Sequence, residues 1–129
     1  MSYQLFDYVN PQGVNEFKEW TEALEKPQRA KLNEKLDKLE IYGDALYPEM
    51  LTGTPVAGIS KLRIKGNVQL RPLLCKGPVV INTEYTLLMG AKEVGSKWVP
   101  KAAPETANSK KQLVIIEPAN RRVNHEKIL

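Results

Sequence analysis

The chain has 129 residues, a net charge of +4 and one cysteine, Cys75. That length supports a single domain with its own core, without metal or disulfide staples. A lone cysteine excludes a disulfide within the chain and fits a reducing cytoplasm, and no apolar run approaches the roughly 20 residues a membrane-spanning helix needs.

Tyr3 to Val9 alternates around Leu5 and predicts an opening strand. Asn10-Pro11-Gln12-Gly13 is turn chemistry. From Val14 the spacing becomes helical, through Phe17, Trp20 or Thr21, and Leu24, with Asn10 or Asn15 as the cap. Trp20 reads as core of this helical part. Pro27 restarts the chain at a first-turn position, and Gln28 to Tyr42 is a second helix with Leu32, Leu36 and Leu39 as its apolar stripe. Gly43 closes it.

A loop rich in Pro and Gly spans Leu46 to Gly58. Ile59–Lys65, the turn Gly66-Asn67 and Val68–Cys75 predict a hairpin, with Pro72 marking an edge or bulge. Glu84–Ala91 is the last clear strand. Lys92 to Pro100 is polar and glycine-containing and reads as a loop. Pro104 to Ile116 predicts a helix stopped by Pro118. The expected architecture is therefore α+β: a strand, a helix hairpin, a three-stranded antiparallel sheet and a C-terminal helix, with the helices on one face. Residues 1–118 form the domain, and 119–129 are a basic tail read as mobile.

Charge is divided along this plan. Residues 1–54 carry a net −4 and residues 55–129 a net +8. Lys61, Arg63 and Lys65 alternate with Leu62 and Ile64, so one strand face is basic. Arg71 lies in the next strand and Lys92 follows the last. On one strand such cations are the solvated face of a sheet; three strands delivering cations to one patch would suit phosphate. Lys97 and Lys101 bracket Trp98 in the polar loop, where an indole can stack on a base or pack. Cys75, in an apolar strand, reads as a small buried hydrophobe. Glu84 and Glu93 flank the last strand and could form a general acid/base pair, but no spacing rule links them and they read as surface charges. No Cys/His cluster suits zinc, and no glycine spacing suits a nucleotide loop, so no cofactor or metal is expected.

Lys61-Leu62-Arg63, Gln69-Leu70-Arg71, Leu87-Leu88-Met89-Gly90-Ala91-Lys92 and Lys97-Trp98-Val99-Pro100 occur in an order that resembles the RelE/ParE toxin superfamily, and most closely its phage-derived HigB-like branch. The resemblance covers roughly residues 15–118. It implies a RelE-like fold and a toxin of a type II toxin–antitoxin pair, with a cognate antitoxin as partner and messenger RNA on the ribosome as target. Arg63, Arg71 and Lys92 fall where the nucleases of the family place catalytic or phosphate-binding cations. Leu70 replaces the family's usual aromatic residue, and His125 lies too far along the tail to match a family histidine.

Metal-independent RNA cleavage needs a base for the 2′-hydroxyl, a cation for the phosphate and an acid for the leaving oxygen. Arg71 is the expected clamp. Lys61 or Lys92, among other cations, is the expected base, and Tyr85 a candidate acid. Lys61, Lys65, Lys97, Trp98 and Lys101 are the expected RNA contacts. The rival expectations are a toxin-fold protein that binds without cutting, as a gyrase inhibitor or an inactive phage cargo, and a general basic RNA-binding module.

Overall fold

The computed structural model describes residues 2–129 and is a mixed α+β domain. Its strands are β1 (Gln4–Tyr8), β2 (Leu51–Gly53), β3 (Ser60–Leu62), β4 (Gln69–Leu70), β5 (Leu73–Lys76), β6 (Glu84–Met89), β7 (Lys92–Val94), β8 (Lys97–Val99) and β9 (Arg122–Asn124). Its helices are α1 (Glu16–Ala23), α2 (Lys26–Tyr42), α3 (Ala103–Ile116) and the single turn α4 (Pro118–Arg121).

The helix signals act locally as expected. The Asn15 side chain accepts from the Lys18 amide and caps α1. Glu25 and Gln28 form a reciprocal capping box at α2, with Pro27 in its first turn.

The sheet is larger than the sequence predicted. Among the described residues, six strands form it in the order β2-β3-β5-β6-β1-β9, and β4, β7 and β8 form a second, three-stranded sheet. The opening strand β1 runs parallel to β6, between β6 and β9. The predicted hairpin is divided. Its first arm, β3, pairs with β5, while Gln69 and Leu70 leave to pair with β7. The break falls at Arg71-Pro72, where proline cannot donate to a ladder.

Helices cover both faces of the large sheet, not one. Phe17, Leu32, Leu36 and Leu39 pack on Leu5, Leu62, Leu74, Tyr85 and Leu87. Ala103, Ala107 and Val114 of α3 pack with Tyr8, Leu73, Cys75, Leu88 and Met89 on the other side. Leu73-Leu74-Cys75 sends consecutive side chains to opposite cores, as strand pleating requires. All six residues of β6 are buried, the pattern of a strand covered on both sides.

The last residues are packed rather than free. β9 extends the sheet edge, and the Arg122 guanidinium lies over Phe6 and donates to the buried Glu84. His125 Nδ1 lies 2.8 Å from buried Asp7. Asn33 Nδ2 donates to the Ile128 carbonyl. The polar Asp7, Glu84 and Asn33 within the folded body are what the tail satisfies.

Candidate functional site

The second sheet positions the one place where predicted site residues meet. Across its three strands Gln69, Glu93 and Trp98 stand in register. Lys61 reaches them from β3, and Arg71 follows β4, its amide held by the Ala91 carbonyl. Lys61 Nζ lies 2.7 Å and Arg71 Nε 2.9 Å from the same oxygen, Oε1 of Glu93. Arg71 Nη1 donates to the Leu70 carbonyl at 2.9 Å and Nη2 to Gln69 Oε1 at 3.1 Å. Lys61 Nζ also stands over the Trp98 ring, 5.1 Å from its centroid.

All three charged side chains are largely buried, Lys61 at 15%, Arg71 at 11% and Glu93 at 19% exposure. Burial pushes the Glu93 carboxyl up, but the hydrogen bonds and charges of Lys61 and Arg71 outweigh it and hold the group below its ordinary range. Glu93 Oε2 accepts no hydrogen bond among the described residues. Arg71 has five N–H donors and Lys61 three, so each keeps hydrogens beyond those it commits here. The cluster carries two cations and one carboxylate, with an indole as one wall.

Expectation and geometry part at five residues. Lys92 and Lys97 lie on β7 and β8, where alternation sends them with Val94 and Val99 to the exposed face of the ribbon, away from Glu93 and Trp98. Arg63 and Lys65 line a separate cavity beside α2. The expected convergence of Arg63, Arg71 and Lys92 on one phosphate therefore does not occur. Lys101 is exposed in the turn before α3. Of the predicted set, Lys61, Arg71 and Trp98 are brought together.

The candidate acid and base change as well. Tyr85 lies in the core on the α1/α2 side and donates to Asp44, which also accepts from Lys76. Burial and Asp44 raise its hydroxyl well above the ordinary phenol range, so it is no proton donor for this cluster. Lys61 is tied to the Glu93 carboxylate, which it shares with Arg71, rather than standing free beside Arg63 and Arg71. Cys75 is fully buried, its thiol pushed up by desolvation to about 12, and is inert as a nucleophile. His125 is held at Asp7.

Both acids read as surface charges are drawn in: Glu84 is buried beneath Arg122, and Glu93 is the counter-ion of this cluster. Its signal was the symmetry of Lys92-Glu93-Val94 and Lys97-Trp98-Val99 about Gly95-Ser96, a hairpin pattern inside a stretch read as loop. No family model, curated protein or solved structure matches the chain.

Proposed function

We propose that this chain is an RNA-cleaving toxin of the RelE/HigB kind, held in check by a cognate antitoxin, with its phosphate site at Lys61, Arg71 and Glu93. The observation that carries the reading is the sharing of one Glu93 oxygen by an ammonium and a guanidinium beside an indole. An RNA phosphate placed there competes with Glu93 for the two cations. Arg71 and Lys61 would then face the charge that grows on the phosphate oxygens.

The same competition activates the carboxylate. As the phosphate draws Lys61 and Arg71 away, Glu93 loses the contacts that hold its pKa low and becomes the stronger base. Oε2 takes the 2′-hydroxyl proton, the 2′-oxygen attacks the adjacent phosphorus, and the 5′-oxygen leaves with a proton from Lys61. The products are a 2′,3′-cyclic phosphate and a 5′-hydroxyl. Trp98 offers a face for a neighbouring base. Arg63 and Lys92 have no part in this step.

A second reading has its own observation. Glu93 already engages both cations internally, as in a toxin-fold protein that binds a partner and cuts nothing. Expression from a tightly repressed promoter separates the two. Growth arrest with messenger cleavage seen by primer extension, abolished by Arg71→Ala, supports the nuclease. Arrest with intact messenger and inhibited supercoiling supports a gyrase inhibitor, and unimpaired growth supports an inert protein.

A further inference from the structure

Arg63 and Lys65, which do not reach the Glu93 cluster, stand in a cavity of about 690 Å³ between α2 and the segment 45–50. That volume lies within the roughly 300–1,000 Å³ typical of small-molecule sites. Neither Arg63 nor Lys65 makes an ion pair with any described residue, and both are exposed. Lys31, on the α2 wall, has only the Lys65 carbonyl as partner, at 3.4 Å. Glu34, on the same helix, is drawn off by Lys35 and Lys38. Three cations without an ion-pair partner thus face one space, against the carboxylate of Glu49, which also lines it and leaves the cations in excess.

The opposite wall is of another character. Leu46 and Met50 are half-buried against the core, and the Tyr47 ring stands 59% exposed with no aromatic partner among the described residues. An exposed ring beside unpaired cations matches a ligand whose charge is gathered at one end and whose other end is a flat, uncharged ring. An acidic peptide distributes its charge along its length and matches this division poorly.

We infer that this cavity is a second anion site, separate from the Glu93 cluster, that takes a nucleoside phosphate, with the phosphate on Arg63, Lys65 and Lys31 and the base against Tyr47. Arginine supplies a two-pronged grip on phosphate oxygens and lysine a point charge. Stacking on an aromatic face adds affinity for a base whatever its identity. The same chemistry is offered by a free mononucleotide and by one residue of an RNA strand. The inference does not rest on cleavage.

The test is calorimetric titration of the full chain with 5′-AMP, adenosine, an oligoadenylate lacking terminal phosphates and an oligoglutamate. AMP should bind at least ten-fold more tightly than adenosine. The double variant Arg63→Ala/Lys65→Ala should weaken AMP at least ten-fold, and Tyr47→Ala should weaken it several-fold, while Lys92→Ala, an exposed cation outside both sites, leaves it unchanged. Tighter binding of AMP than of the oligomer identifies a free nucleotide as ligand; tighter binding of the oligomer, equally sensitive to the double variant, identifies a strand. No binding of AMP or oligomer, binding indifferent to the double variant, loss with Lys92→Ala, or binding of the oligoglutamate alone would each overturn the assignment. Arg63 and Lys65 are exposed and unpaired, so the variants retain the fold, which circular dichroism verifies.

Discussion

Arg71 Nε sits 2.9 Å from Glu93 Oε1, and that contact joins the end of β4 to the middle of β7 inside a largely buried cluster. Its partner Lys61 binds the same oxygen, so one carboxylate holds two strands' cations in place. The contact is both a structural tie and, in the proposed reaction, the bond that a phosphate must break.

The tie makes stability depend on acid. The folded state holds the Glu93 carboxyl below its ordinary value of 4.5, and holds Asp44 low through Lys76 and Tyr85, against the desolvation of each. The unfolded chain therefore binds these protons first. The stabilisation is complete above the ordinary carboxylate range and is lost as pH falls through the lower folded-state values. Urea melts between pH 7 and pH 3 should show this loss, and Glu93→Gln should give a shallower acid limb with lower stability at pH 7, by about 1–3 kcal/mol. An unchanged acid limb would remove Glu93 from the account.

Gly90 is required for closeness rather than for backbone freedom. A Cβ built on it would fall 1.8 Å from Cδ2 of Trp20. Gly90→Ala forces the indole aside and should cost about 1–3 kcal/mol, the range for overpacked cores. A lower melting temperature with a red-shifted tryptophan emission would show it. A neutral result would mean that Trp20 does not occupy this place.

The C-terminal residues should prove structural. Deletion of 122–129 removes β9 and strips Arg122 from Glu84 and His125 from Asp7, leaving two buried carboxylates. Breaking a buried pair costs roughly 3–5 kcal/mol, so the truncated chain should be largely unfolded or melt far earlier. A free tail would leave the denaturation midpoint unmoved.

Much of this was legible in the sequence, and the reasons for the rest are physical. Helix caps and breakers are local, so Asn15, Pro27 and Gly43 marked their elements directly. Strand pairing is not local: nothing near Tyr3–Val9 says that it lies between β6 and a strand from the last eight residues. Arg71 and Lys61 were legible as cations that neighbouring strands could deliver to one patch. Their counter-charge was not, since Glu93 looks like any surface acid until β7 pairs with β4 and β8 and its carboxylate meets Lys61 from β3. Arg63 and Lys65 share an alternating run with Lys61, yet β3 ends at Leu62, and beyond it the run turns toward α2.

The account rests on Glu93 serving as counter-ion before the substrate arrives and as base afterwards. The direct measurement is messenger cleavage and RNA binding by Glu93→Gln beside the unaltered protein in a translating, ribosome-containing extract. The glutamine cannot take the proton but releases both cations, so cleavage should fall by about 10²–10⁴-fold while RNA binding tightens several-fold. Cleavage at the unaltered rate, or no cleavage by either protein, would contradict it.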